Sequence, residues 1–358
     1  MKVVQLTSPE KVEVRDIPAR REAEPGEALL EPILVGLTGT DAMRYRKGAP
    51  TKDGFRSPHV PGAEFVARVL RVGRGVDPTL VGKRIVANPL APCLKCTWCF
   101  EGNHHLCPNM RVLGTPPVAG ALQQVFAWPA NLCIPVPDSI RDEEAVLLIP
   151  LSMAIHIADQ ANVPLMASVA VIGCGSLGLL LAEVLRKTGA GEILAVDLIA
   201  YRRDAGFRHG ATRAYDPISA MDAVSRWPRR GVDIAIDVSN ASEGSRSAVQ
   251  IVRTGGRVLI AGIPEDNRIL FNARDARHKE LTIQFVRRPH DTLARAVQLL
   301  QSGSLRRIGE LVTHRFLLDQ IAEAYRLLRT MNEEVIKVVI EMQAKPASQE
   351  PAEIEAKV

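Results

Sequence analysis

The amino-acid sequence predicts an α/β chain in two parts: a mostly antiparallel, barrel-like β part followed by a doubly wound parallel sheet. Three observations carry that expectation. A glycine-rich turn, Gly173-Cys-Gly175-Ser176-Leu177-Gly178, directly follows the short apolar run 169–172. Strand and helix patterns alternate after this turn, whereas almost every pattern before it is strand. The length, 358 residues, allows two hydrophobic cores.

Taken in order, segments 2–6 and 11–17 flank Ser8-Pro9-Glu10, a hairpin signal. Strand patterns follow at 27–35, 64–72, 83–87, 123–128 and 132–136, separated by Gly and Pro. Residues 143–161 have helical periodicity and lead into the second part. There, Leu177, Leu180, Leu181, Val184 and Leu185 recur at helical spacing after the glycine turn. A second strand, 192–196, ends at Asp197. The later strands 232–238, 257–263 and 281–286 are apolar on consecutive positions, as parallel strands buried on both faces should be. A helix over 291–301 follows, and 311–342 reads strand, helix (318–329), strand (335–341), returning to the first part. The domains are therefore expected at 1–154 with 301–343, and at 155–300. Residues 344–358 hold little to bury and read as a disordered tail.

The glycine turn carries chemistry as well as architecture. Gly173 permits the tight turn, Gly175 lets backbone approach a pyrophosphate, and Gly178 lets helix pack on strand. The amides at Ser176 and Leu177 open the helix, where its positive end favours an anion. Asp197 stands nineteen residues after Gly178, where a carboxylate accepts ribose hydroxyls and repels a 2′-phosphate. The spacing therefore predicts NAD rather than NADP, a preference that Arg202 and Arg203 soften. Val238 and Gly262 fall at the carboxyl ends of later strands, where cofactor and substrate sit in such sheets.

Four of the six cysteines, Cys93, Cys96, Cys99 and Cys107, lie within fifteen residues. Four thiolates can enclose one zinc tetrahedrally, and a closed Cys₄ shell leaves no position for water, so this zinc reads as structural. A disulfide pair is the rival, disfavoured in a cytosolic chain. His104 and His105 are close enough to compete as ligands. Cys174 within the glycine turn is explained by small size.

Bulk properties exclude other classes. Net charge +5 comes from 45 basic residues against 40 acidic ones, scattered without a basic stripe, which argues against nucleic acid. No apolar run reaches membrane-spanning length, and the first residues lack signal-peptide architecture, so a cytoplasmic location is expected.

The glycine turn with Asp197, the upstream cysteine lobe, Val81-Gly-Lys-Arg-Ile-Val86 and Gly255-Gly-Arg-Val-Leu-Ile260 together resemble the zinc-type medium-chain alcohol dehydrogenases. Cys107-Pro-Asn-Met, Gly114-Thr-Pro-Pro117, Leu311-Val-Thr-His-Arg-Phe316 and Ile336-Lys-Val-Val-Ile-Glu341 look closest to the polyol, sorbitol-like branch. The resemblance spans residues 1 to about 343. It implies a split GroES-like catalytic domain with the zinc lobe at about 90–110, a central Rossmann NAD-binding domain, a small-molecule substrate, and a homodimer or homotetramer. It also implies a catalytic zinc, and here the chain departs. The family's cysteine ligand falls on Thr38, its histidine on Ala63 and its glutamate on Ile149, while the relay histidine falls on Met43. Losing all three ligands removes the metal.

Without a Lewis acid, hydride transfer needs another acid or base, or an activated substrate. Thr40, which resembles the family's relay hydroxyl, and Glu64, retained beside the vacant position, are the candidates, with Thr38 a weaker one. His59, Arg44 and Tyr45 lie on neighbouring loops. A carboxylate in a poorly hydrated cleft can act as general acid/base; Glu64 could equally be a structural carboxylate pairing an arginine. Asp41 reads as a backbone partner and His156 as a core histidine, while His290 and His314 carry no assignment. The expected activity is NAD-dependent hydride transfer between nicotinamide and an alcohol/carbonyl, polyol- or sugar-like. The alternatives are reduction of an activated C=C or C=N bond, a non-catalytic NAD-binding protein, and a metalloenzyme with relocated ligands.

Overall fold

The structure is a computed structural model that describes residues 1–20, 22–47, 58–264, 266–305, 307–330 and 334–342. The segment 344–358, expected to be disordered, lies outside the described residues.

The strand before the glycine turn and the five that follow it form one parallel sheet, in the order Arg213–Tyr215, Glu192–Val196, Ser168–Ile172, Val232–Asp237, Val252–Ile260, Thr282–Phe285. Numbered within this sheet, that is 3-2-1-4-5-6, the doubly wound order whose switch point lies beside the first strand. Val169, Val171 and Ile172 are almost fully buried, with helices covering both faces. Lys279 Nζ donates to the carbonyls of Val249, Gln250 and Val252, closing the end of helix Ser242–Ile251. Arg257 donates in the same way to Gln160 and Ala161, at the end of helix Leu148–Ala161. Cations at these positions satisfy carbonyls that no helical amide reaches.

The remaining chain builds a seven-stranded sheet with its own core. Its path runs Val312–Leu317, Lys337–Glu341, Glu27–Gly36, Glu64–Val72, Arg84–Ala87, Cys133–Pro135, with Phe126–Pro129 also on Glu27–Gly36. Every pairing is antiparallel except the first, where helix Ile321–Thr330 makes the crossover. The return strand Lys337–Glu341 pairs Val339 with Gly36, bringing the last part of the chain against the beginning. Val4, Leu30, Phe65, Ile85 and Tyr325 fill the interior. The opening hairpin, Lys2–Ser8 with Lys11–Asp16, forms as its turn signal requires.

Some boundaries differ for physical reasons. The helix expected over 143–161 is two pieces, Asp142–Ala145 and Leu148–Ala161, because Pro150 lacks an amide and is tolerated only in a first turn. Strand 257–263 is shifted: it begins at Val252 and ends at Ile260, since the amides of Ala261 and Gly262 turn to the Asp237 carbonyl. Helix 318–329 is a 3₁₀ turn followed by Ile321–Thr330. Helix Gly39–Lys47 and the three-residue strand Arg213–Tyr215 were not expected from the sequence. Among the described residues, no helix is long and apolar enough to cross a membrane.

Candidate active site and metal lobe

The glycine turn has the shape a pyrophosphate needs. Gly173 has φ +95°, and a Cβ there would lie 2.9 Å from the Ser239 backbone. A Cβ at Gly178 would reach within 1.9 Å of the Gly173 carbonyl oxygen, and its next neighbour is Val238. At Gly175 a Cβ would meet nothing within 4 Å, so the backbone of the turn is open to a ligand at that point. Helix Ser176–Lys187 starts directly after it. Gly262 leans on the other side of Ser239, where a Cβ would come within 1.8 Å of its carbonyl oxygen. The residues fit a dinucleotide.

The Asp197 carboxylate is held by its own backbone, accepting from the amides of Cys174 (2.7 Å) and Ile199 (2.9 Å). Arg203 donates to the carbonyls of Asp197 and Leu198. Arg202 reaches across to the return segment and donates to the Val335 carbonyl through Nε (3.2 Å) and Nη2 (2.8 Å). Asp237, at the end of strand Val232–Asp237, was not singled out in the sequence. It is 1% exposed and accepts from the Ser239 amide and hydroxyl, and burial pushes its carboxyl up to about 6. Its signal was an acid closing an otherwise apolar strand.

The second centre lies where the split domain meets the nucleotide sheet. The turn leading into helix Gly39–Lys47 is locked reciprocally: the Thr38 hydroxyl accepts from the Asp41 amide (3.0 Å), and the Asp41 carboxylate accepts from the Thr38 amide and hydroxyl (2.9 and 2.7 Å). This is the chemistry of a capping box, and it engages both oxygens of the Thr38–Asp41 pair locally. Thr40 is half-buried, and its hydroxyl has no hydrogen-bond partner among the described residues. Across the interface, the Asn240 amide packs on Gly39, where a Cβ would fall 2.3 Å from it.

Glu64 pairs not with an arginine but with Lys337. The Lys337 ammonium, 2% exposed, donates to the Glu64 carboxylate and to the Leu37 carbonyl (3.0 Å). Gly36 makes the room, since a Cβ there would lie 2.7 Å from Lys337 Cε. Burial raises the Glu64 carboxyl above its ordinary value, and Lys337 opposes that rise. Sequence reasoning missed Lys337; its only local sign was a lysine inside an apolar strand. Ala63 offers no donor atom, Ile149 is 8% exposed, and Thr38 is already engaged, so these three residues do not fit the family's catalytic zinc.

The neighbouring candidates have other tasks. Arg44 donates to the Gly114 carbonyl (2.5 Å) and the Thr115 hydroxyl (2.8 Å). Tyr45 is buried against Tyr325, ring centroids 5.0 Å apart. His59 is buried, and burial with the nearby Arg44 charge lowers it to about 4. His156 is a buried histidine, as expected, also lowered to about 4 by burial and two neighbouring imidazoles. His314 contacts the Thr313 hydroxyl.

The cysteine lobe brings Cys93, Cys96, Cys99 and Cys107 together with all four sulfurs within 4.8 Å of one another and no disulfide. Cys96 Sγ lies 3.5 Å from Cys99 Sγ and 3.9 Å from Cys107 Sγ. Tetrahedral zinc with bonds of about 2.3 Å requires sulfur separations of about 3.8 Å, so the donor set fits. The Lys95 backbone amide lowers the Cys93 thiol to about 6, toward the thiolate a metal takes. His104 and His105 stand outside this cage.

A dinucleotide turn on a doubly wound sheet, a split β domain and a four-thiol lobe define a two-domain oxidoreductase of the dehydrogenase/reductase class. Residues 24–138 match the alcohol dehydrogenase GroES-like domain and residues 176–302 the zinc-binding dehydrogenase domain. The chain belongs to the zinc-type medium-chain alcohol dehydrogenase family, in its polyol branch. It is 32% identical to D-xylulose reductase A of Aspergillus oryzae over 311 residues, covering 85% of this chain and 86% of that one. It is 29% identical to the sorbitol dehydrogenase of Bacillus subtilis over 345 residues, 95% of this chain and 97% of that one. The solved alcohol dehydrogenase of Thermus sp. ATN1 superposes with a TM-score of 0.86 at 27% identity, covering 96% of this chain and all of that one.

The lobe generates a direct expectation. Cys99→Ser should release the tightly held zinc, read by mass spectrometry of the desalted protein, and lower the unfolding temperature, because metal affinity is coupled to folding. Retention of that zinc by the variant would exclude the four-thiol cage.

Proposed function

We propose that the protein transfers a hydride between the nicotinamide of NAD and an alcohol/carbonyl carbon of a polyol- or sugar-like molecule, with no metal at the reacting centre. The observation that carries this reading is the replacement of all three zinc ligands by Thr38, Ala63 and Ile149 beside a buried Glu64–Lys337 pair. Bound NAD supplies the hydride acceptor in one direction and, as NADH, the donor in the other.

The chain's own residues do the rest. Gly173, Gly175, Ser176, Leu177 and Gly178 cradle the pyrophosphate, and Val238 and Gly262 frame the cleft at the strand ends. Asp197 receives the ribose hydroxyls. The Arg202 guanidinium is engaged by the Val335 carbonyl, which supports NAD over NADP. Thr38 shapes the turn, and the Thr40 hydroxyl hydrogen-bonds the reacting oxygen. Glu64 accepts the alcohol proton during oxidation and returns it during reduction. Burial raises the Glu64 carboxyl and so strengthens it as a base, and Lys337 opposes that rise. The family resemblance adds a homodimer or homotetramer. The missing Lewis acid also favours a second substrate class, enones or imines, which are already polarised. A substrate panel followed by NADH absorbance separates the two readings.

Glu64→Gln should lower kcat by about a hundredfold or more while NAD affinity is unchanged, the loss usual for a positioned base. An unchanged kcat removes Glu64 from the mechanism. In Lys337→Met the pH limb on which the rate rises should move to higher pH, since a carboxylate deprived of its cation holds its proton longer. Asp197→Gly should narrow the NAD/NADP preference by about tenfold to a hundredfold, as expected for loss of hydrogen bonds to a charged group. An unaltered ratio would place discrimination elsewhere.

A further inference from the structure

The loop between strand Thr282–Phe285 and helix Leu293–Gln301 lies against the cysteine lobe and carries a cation that the hydride chemistry does not use. Arg288 (φ +55°) and Asp291 (φ +52°) in this loop hold left-handed backbone, a conformation that a non-glycine residue keeps only where its surroundings over-determine it. Between them, His290 Nε2 donates to the Gly102 carbonyl (2.9 Å), and the His290 ring stacks on His105 with centroids 4.3 Å apart. Arg288 is half-buried, and its Nη1 is buried without a hydrogen-bond partner among the described residues. A guanidinium nitrogen in that state is costly and needs a cause. The charges around it point to the lobe. Burial and the Arg287 charge lower the Arg288 guanidinium, and the Cys107 charge works against them. Burial first, then the His290 and Arg288 charges, hold the His105 imidazole toward its neutral form.

We propose that Arg288, reaching from the nucleotide domain, is the counter-cation of the metal-loaded cysteine cage, and that metal in the lobe thereby docks loop 286–292 at the domain junction. The inference rests on the four-thiol zinc reading. Four thiolates around one Zn²⁺ leave the cage with net negative charge. Its two halves meet different surroundings: Cys93 and Cys96 are partly exposed, whereas Cys107 and Cys99 are 2% and 7% exposed. Water screens the outer sulfurs. The inner ones, removed from it, need a charge of opposite sign nearby. The Cys93 amide donates to Cys107 Sγ (3.4 Å), which spreads the charge without cancelling it. Other lobe cations are placed elsewhere: Lys95 is exposed, and Arg111 lies over the Trp128 ring, 5.7 Å from its centroid. A guanidinium suits the position, being always charged and more weakly hydrated than an ammonium. Groups just outside a metal's ligands tune its affinity, so the coupling runs both ways: Arg288 holds the metal, and the metal holds the loop. Loop 286–292 leaves the carboxyl end of the last strand of the nucleotide sheet, the side on which a dinucleotide binds.

The test uses the full chain loaded with zinc at the thiols. Transfer of that zinc to a chromogenic chelator, followed by absorbance, should be about tenfold faster or more in Arg288→Met than in wild type, the range usual for a group just outside a metal's ligands. Arg288→Lys, which keeps the charge, should recover most of the difference. Arg287→Met, which removes an exposed cation from the same loop, should release zinc as wild type does. Hydrogen exchange of the wild-type chain supplies the reciprocal reading without any substitution. Stripping the zinc should raise the exchange of the 286–292 amides, a rise that Arg288→Met, already fast with zinc bound, should not show. The inference is overturned if Arg288→Met keeps zinc as wild type does, if Arg287→Met loses it equally fast, or if exchange in 286–292 is indifferent to zinc. A wild-type chain that takes up no zinc at the thiols overturns the four-thiol reading and this inference with it.

Discussion

A buried ammonium–carboxylate contact governs the centre of this molecule. Taking two charges out of water costs several kcal/mol per ion, and the pair stands only where further hydrogen bonds and close geometry offset that cost. Lys337 meets both conditions, through the Leu37 carbonyl and through the space that Gly36 leaves by having no Cβ. The contact therefore ties together the start of strand Glu64–Val72, the return strand Lys337–Glu341, and the turn that leads to helix Gly39–Lys47. Each of these segments borders the space beside Thr38 and Ala63. The Thr38–Asp41 lock beside it holds the turn into the helix through its own hydrogen bonds.

The nucleotide sheet is built on a different principle, backbone packed on backbone. Ser239 is gripped between Gly173 and Gly262, and the Gly178 helix presses on the Gly173 carbonyl, so the turn is shaped before any ligand arrives. The two principles meet through Arg202. Its helix begins just after Asp197, and its guanidinium holds the Val335 carbonyl, two residues before Lys337. A physical connection thus runs from the ribose end of the cofactor cleft to the base of the ion pair. It gives the return segment a fixed anchor on the nucleotide domain.

What could be read from residues alone follows from where each constraint lives. The glycine turn, Asp197 and the four cysteines were legible because pyrophosphate and zinc each demand particular residues at short, fixed spacings. The substitutions at Thr38, Ala63 and Ile149 stand out in the sequence because the resemblance marks those positions. Lys337 does not, since its partner is 273 residues away in the chain and only the folded sheet brings them together. Helix Gly39–Lys47 escaped notice because its face toward solvent is polar and basic and it opens on a glycine, leaving little apolar period to detect. The strand expected at 257–263 starts earlier because Gly255 and Gly256 lie inside it, where the missing side chains allow Val252 and Arg253 to pack closely. Arg202, singled out by its nearness to Asp197 in the sequence, donates to the Val335 carbonyl, a contact that sequence proximity does not reveal.

On the proposed function, the reacting centre works through Glu64 and Lys337 with no metal between Thr38, Ala63 and Ile149. Anomalous scattering from crystals of the NAD-bound protein, grown in zinc and measured across the zinc absorption edge, locates every bound ion directly. A strong peak is expected among Cys93, Cys96, Cys99 and Cys107 and none in the space bounded by Thr38, Ala63 and Ile149. An ordered zinc peak in that space would contradict it.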